Sequence, residues 1–164
     1  MLNVYGFKSQ VVPEEGYKMK SQNVILENFQ ESEAKQFQHI ILRSTSNEVV
    51  DKITEHTSGL HEQLVMDAHL KIMNAAIQPY LNGDLPFINV YNYFKYIQSI
   101  ISHVNVERYL LLLMRTFIFF LIDLDEIKPD NNSEMMKTVN KILLILLEIS
   151  EPKHILEVLF ILMR

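Results

Sequence analysis

FINVYNYFKYIQSIISHV, residues 87–104, is the stretch that decides how this chain folds. Phe87, Val90, Tyr91, Phe94, Ile97, Ile101 and Val104 recur at the three- and four-residue steps of an α-helix and form one apolar stripe. Tyr93, Tyr96 and Ile100 form a second stripe, about 100° around the same axis. A helix that is apolar on two sides needs neighbours on two sides. A four-helix bundle accounts better for single-sided helices, whereas a stack of helix pairs buries each pair against the next.

Working outward, Leu81-Asn82-Gly83-Asp84-Leu85-Pro86 is a turn: Asn and Gly tolerate positive φ, and Pro86 suits a first helical turn. Before it, Leu60 to Gln78 reads as a helix that presents Leu64, Ala68, Leu70, Ile72, Met73 and Ala76/Ile77 to a core and is ended by Pro79. After residue 104, Asn105 is placed to cap Val106 to about Glu126, which is apolar nearly all round. Lys128-Pro129-Asp130-Asn131-Asn132 is a second turn, Ser133 caps Glu134 to Ile149, and Ser150-Glu151-Pro152 opens a last helix, Lys153 to Arg164. Upstream, shorter helices are expected after Ser21 (Val24, Ile25, Phe29), from Ser32/Lys35 (Phe37, Ile40, Ile41) and over Asn47 to Glu55 (Val49, Val50, Ile53). Residues 1–20 hold no sustained period and read as an extended lead-in to a helical array over 21–164.

Helix openings at Leu60, Val106 and Pro152 are separated by 46 residues in each case. A period of ~40–47 residues built from paired helices is that of HEAT and armadillo arrays. The fold expected is therefore all-α, a HEAT-repeat-like α-solenoid of antiparallel helix pairs. An array that stopped at Leu159-Phe160-Ile161-Leu162-Met163-Arg164 would leave an apolar face bare, so further repeats or a partner chain are expected to cover it.

Composition narrows the function. A net charge of −5, with no Lys/Arg cluster longer than a dipeptide, argues against nucleic acid. The absence of cysteine removes disulfides, thiolate metal sites and cysteine nucleophiles. Met1 to Gln10 has no apolar core of a signal peptide. Tyr109 to Leu124 is the most membrane-like stretch, but Arg115 divides it and Asp123 and Asp125 close it, short of the ~20 apolar residues a span needs. It reads as a buried helix.

No metal or cofactor is expected. His61 and His69 are eight residues apart, and Gly59 separates His56 from His61, so neither pair has the four-residue spacing that puts two imidazoles on one ion. The histidines read as solvated or capping groups. Asp123, Asp125 and Glu126 read as a solvated helix end, without the glycine and oxygen spacing of a calcium loop. With four glycines there is no phosphate-cradling loop, and no serine sits in a nucleophile-elbow setting. Catalysis has no candidate residues, which points to a binding module. In the aromatic group Tyr91, Tyr93, Phe94 and Tyr96, two or three members are expected to pack between layers. Tyr93, flanked by Asn92 and Lys95, is the one expected at the surface.

The order of three segments resembles the C-terminal region of microtubule polymerases that carry TOG (tumour-overexpressed gene) arrays, of the ch-TOG and Mini spindles type. They are Gly59-Leu60-His61-Glu62-Gln63-Leu64, Phe87-Ile88-Asn89-Val90-Tyr91 and Asp123-Leu124-Asp125-Glu126-Ile127. Met136 to Glu148 followed by His154-Ile155-Leu156-Glu157-Val158-Leu159 is similar to the paired helices late in that family's last, divergent array. The likeness is a diffuse pattern over roughly residues 22–164, without an invariant motif. It implies a HEAT-repeat paddle in a cytoplasmic microtubule-associated protein, recruited to centrosomes and spindle poles through partners such as transforming acidic coiled-coil proteins. Tubulin-binding arrays of the family use a Trp in the first turn and Lys or Arg in later ones. This chain has no Trp, and its turns carry Arg43, Asp84, and Lys128 with Asp130. Tubulin's surface is acidic, so weak or absent tubulin binding is expected on charge grounds. Arg43, Asp84, Tyr93, Lys95 and Lys128 are the candidate partner-binding residues. An unrelated helical-repeat adaptor is the alternative outside the family.

Overall fold

Long apolar runs punctuated by single turn residues resolve into helices: α1 Glu31–Arg43, α2 Val49–Thr57, α3 Glu62–Leu81, α4 Phe87–Ile100, α5 Leu110–Ile127, α6 Asn132–Ile149 and α7 Pro152–Leu162. Two 3₁₀ turns, Ile101–His103 and Glu107–Tyr109, join α4 to α5. The computed structural model describes residues 31–127 and 132–164, and among these there is no strand. The chain divides into two compact units, Met1–Lys35 and Gln36–Arg164. Of the first, only the opening residues of α1 are described; the packing below is that of the second. The lead-in over 1–20, the short helix after Ser21 and the Lys128–Asn131 part of the second turn lie outside the described residues.

Within the second unit, neighbours alternate along the chain. Helix α2 packs on α4 and α4 on α6, while α3 packs on α5 and α5 on α7; α5 with α6 and α3 with α4 join the two rows. The repeat is tighter than 46. Elements begin at Glu62, Glu107 and Pro152, and their partners at Phe87 and Asn132, each step being 45 residues.

The core is centred on α5. Leu110, Leu111, Leu112, Leu113 and Met114 are consecutive and all buried, which covers the whole circumference of the helix. Phe117 and Phe120 continue it and meet Phe94 of α4 at ring-centroid distances of 6.2 and 5.3 Å. Tyr80 of α3 closes the group edge-on to Phe120 at 6.2 Å. Truncating one such buried ring costs about 3–5 kcal/mol, because the cavity collapses only in part.

Helix α3 departs from the sequence reading in two ways. Leu70, Ile72, Met73 and Ala76 are buried as expected, joined by Met66, but Leu64, also expected in the core, is 51% exposed. Pro79 does not end the helix, which continues to Leu81 with the proline inside its last turn. Pro79 has no N–H for the carbonyl of Ala75 four residues back. That carbonyl accepts a 2.9 Å hydrogen bond from Nε2 of Gln38 in α1 instead. The helix then closes as the turn residues predict. Asp84 N donates to Pro79 O (2.8 Å) and Gly83 N to Tyr80 O (3.0 Å), with Gly83 at φ +84° in the left-handed region. Asn105 also does what its position suggests, its Oδ1 accepting from Glu107 N at 3.2 Å.

Gln38 and Pro79 should therefore be energetically coupled. Gln38→Leu is expected to lower stability by about 1 kcal/mol by leaving a buried carbonyl without a donor. In a Pro79→Ala background, which restores the helical N–H, the same change should cost close to nothing. Urea unfolding of the four proteins measures this; equal costs in both backgrounds would refute the coupling.

Candidate functional site

The sequence-predicted residues do not converge on one site. Arg43 is exposed in the last turn of α1, Asp84 is exposed in the α3–α4 turn, and Lys95 is exposed on α4. Lys128 lies outside the described residues. Arg43 and Asp84 lie towards the same end of the helices, because α4 is tied to the α1–α2 joint. Asn89 Nδ2 donates to Ile41 O (2.6 Å) and Ser44 O (2.9 Å), and Asn92 Nδ2 donates to Ser46 O (2.7 Å). Ile41 O and Ser44 O lie at the C-terminal end of α1, where a helix leaves carbonyls without an intrahelical donor, and Ser46 O lies in the turn before α2. Among the described residues no ion pair joins Arg43 to Asp84.

Tyr93 is not a surface residue: its side chain is fully buried. Its sequence neighbours point elsewhere. Asn92 is turned to Ser46, and Lys95 stands one turn above Tyr91, its Nζ 5.2 Å from that ring. Tyr91 stacks in turn on Phe87 at 5.1 Å and 14°. Half-buried Phe87 and Tyr91 with exposed Lys95 thus form a ladder along α4, at the four-residue steps of a helix.

Tyr93 has a partner that the sequence reading missed. His69, expected to be solvated or capping, is 1% exposed on α3, with Nδ1 3.0 Å from Tyr93 Oη. Tyr93 Oη also lies 3.3 Å from the backbone carbonyl of His69 and donates to it. One proton arrangement serves both contacts: Nδ1–H donates to Oη, and Oη–H donates to the carbonyl. Nε2 is then a bare acceptor, buried without a partner. Burial lowers the imidazole pKa to about 4 and raises the Tyr93 phenol well above its ordinary value. The spacing Met66, His69, Met73, Ala76 is helical, which was the available signal for a core histidine.

An open cavity of about 240 Å³ lies where the α4–α5 connection meets the α6–α7 joint; Ser102, Asn105, Glu107, Ser150, Glu151 and His154 are among its lining residues. It brings a serine, a histidine and a carboxylate together, which invites a nucleophilic reading. The distances do not suit one. Glu107 Oε2 is 4.0 Å from His154 Nδ1, beyond the 2.6–3.2 Å of an orienting hydrogen bond. Ser150 Oγ is buried and bonded to nothing among the described residues, so it is neither activated nor presented. No group of three or more His, Asp or Glu among the described residues could hold a metal ion. No described helix is long and apolar enough to cross a membrane.

What stands open is apolar. Helix α7 carries Ile155, Leu156, Val158, Leu159, Phe160, Ile161 and Leu162, yet only Val158 is buried. Leu156 is 58% exposed, Phe160 72% and Met163, just past the helix, 82%. These three share one stripe, with Lys153 at its start and Arg164 at its end, both exposed.

The buried histidine gives the protein an acid-sensitive core. An unfolded imidazole takes up its proton near pH 6.5, whereas His69 resists to about 4, so acid favours the unfolded chain across that window. Stability should fall by about 2 kcal/mol between pH 7 and pH 5 through this group alone. His69→Leu, which leaves Tyr93 Oη its backbone acceptor, should flatten that part of the profile in urea titrations; an unchanged slope would show that His69 is not its source. Compared with family models, with curated proteins and with solved structures, the chain matches none.

Proposed function

We propose that this chain is a non-catalytic helical scaffold that works by binding other proteins, with its pairs stacked as a HEAT-like solenoid. The observation that carries the reading is α7, a helix with seven apolar residues of which one is buried. Apolar side chains left this open mark an interaction surface, since a protein's scattered exposed leucines do not line up on one stripe. The alternating packing of α2–α4–α6 and α3–α5–α7 and the 45-residue step support the solenoid.

Within that reading, the resemblance to the divergent TOG-like array of microtubule polymerases makes recruitment to spindle poles and centrosomes, in the cytoplasm, the preferred role. The cations Lys153 and Arg164 lie at the two ends of the Leu156–Phe160–Met163 stripe, with the exposed Glu157 on the same flank, so it is the apolar side chains more than the charges that favour an apolar seam such as that of a coiled coil. The net charge of −5 and the exposed Asp84 in the α3–α4 turn weigh against an ordinary tubulin-binding paddle.

Thermophoresis against free αβ-tubulin at low salt should give no binding tighter than ~10 μM. The coiled-coil region of a transforming acidic coiled-coil protein should bind, and Phe160→Asp should weaken it at least about tenfold. Tight tubulin binding that weakens with salt would sink this reading and favour the tubulin paddle. Binding to neither would leave the scaffold as an adaptor outside this family.

A further inference from the structure

The open stripe of α7 has counterparts one and two repeats back, and their surroundings show what such a stripe receives. One 45-residue step upstream, Leu156, Phe160 and Met163 become Leu111, Arg115 and Ile118 of α5; a second step gives Met66, Leu70 and Met73 of α3. On α3 all three are buried. Their stripe continues at helical spacing through Ile77 to Tyr80, whose ring meets Phe120 of α5. This is the side of α3 that the next helix of its row covers. On α5, Leu111 and Arg115 are buried and Ile118 is half-buried, whereas Ile122, the next position of the stripe, is 48% exposed. Helix α7 is the cover there. It starts beside the start of α5, where His154 lies 4.0 Å from Glu107, and it has 11 residues against 18. Burial of the stripe thus extends as far as the following helix reaches. On α7 no described helix follows, and the stripe is open.

The direction of the covering helix is fixed as well. His69 meets Tyr93 across the 81–86 turn, and Phe94 meets Phe117 across the 101–109 joint, so α4 is antiparallel to both α3 and α5. Helices α3 and α5 are therefore parallel, and α5 and α7 share their starting end. The α7 stripe continues an interface that the row α3–α5–α7 has already made twice, each time with a parallel helix. An antiparallel second copy of α7 would break that direction and set Lys153 against Arg164, cation against cation, at both ends of the stripe. We infer that α7 seats one amphipathic α-helix of a partner protein, apolar at three- and four-residue steps and lying parallel to α7 as α5 lies on α3. The inference rests on the reading of α7 as the interaction surface and adds the form and direction of what binds there.

The probe is a synthetic peptide of residues 106–124. It keeps Tyr109, Leu113, Thr116 and Phe120, the side on which Phe120 meets Tyr80, and carries Ala, Glu or Lys elsewhere for solubility. In fluorescence anisotropy it should bind the full chain with a Kd below about 100 μM. Phe160→Asp should weaken binding at least about tenfold with the helical circular dichroism spectrum unchanged, because the position is exposed, and Leu144→Asp should leave binding as it is. The chain has no cysteine, so direction can be read from single replacements. A peptide with cysteine at its N-terminus should form a disulfide with Lys153→Cys and not with Arg164→Cys. No binding up to about 1 mM would overturn the inference. So would binding indifferent to Phe160→Asp, or a disulfide with Arg164→Cys alone. A dimer of the chain itself that Phe160→Asp breaks in sedimentation velocity would overturn it too, by placing a second copy on the stripe. If the peptide docks as described while the coiled-coil region does not bind, the recruitment role fails and the seat stands. If the coiled-coil region binds through Phe160 and the peptide does not, the seat alone fails.

Discussion

A helix that is buried around its whole circumference cannot rest on a surface, and the first half of α5 is such a helix. The run Leu110 to Met114 buries five consecutive side chains, so each direction from the axis must meet protein. Helices α3, α6 and α7 supply that enclosure, with α4 reaching it through Phe94. The alternation of neighbours follows: α4 and α5 each pack on the helix two before and the helix two after them, as well as on an adjacent one. The two apolar stripes of α4 have the same origin. Val90, Phe94, Ile97 and Ile101 turn one way and Tyr93 another, because α4 touches α2 and α3 as well as α6.

The polar groups that matter to this packing are few, and they share a task. Gln38, Asn89, Asn92 and Asn132 each donate a side-chain amide to a backbone carbonyl at a helix end, in a turn or at the proline in α3. Asn132 caps Leu124 O at 3.0 Å and takes the Tyr80 hydroxyl on its Oδ1 at 3.1 Å, so one side chain links α3, α5 and α6. A buried carbonyl without a donor costs about 1–3 kcal/mol, so these amides fix which helix ends lie together, beyond what apolar contact alone would decide.

Much of the helix layout is legible in the sequence, because it rests on local chemistry: the period of residues 87–104, Asn82-Gly83 at a left-handed turn, Asn105 before the 3₁₀ turn. The errors lie where a distant residue overrides a local rule. Pro79 is a stop signal on its own, and it stays inside α3 because an amide 41 residues upstream takes the carbonyl that it strands. Tyr93 looks solvent-facing beside Asn92 and Lys95, until the joint at Ser46 captures Asn92 and the ring is left against His69. His69 itself was hidden by residue type, although its spacing from Met66 and Met73 belongs to the core. The candidate surface was legible only in outline. A bare apolar face in the final helix follows from its composition. Which of its side chains stand open depends on how α7 lies against α5, and no periodicity reports that.

Helices α6 and α7 end the described array with different kinds of surface, and the difference has a physical meaning. On α7 the exposed stripe is large and apolar, with Lys153, Glu157 and Arg164 at its margins, so burial would supply the energy of a contact. On α6 the exposed apolar area is small, Leu144 and Leu147, and it lies among Lys137, Lys141 and Glu148, so area alone would bind weakly. Within α6, Glu134 in the first turn suits the positive end of the helix and pairs with Lys137 at 3.1 Å, whereas Glu148 near the negative end gains nothing from the dipole. Phe160 at 72% and Met163 at 82% exposure leave more apolar area to bury on α7 than Leu144 and Leu147 do on α6, so α7 is the face on which a contact gains most.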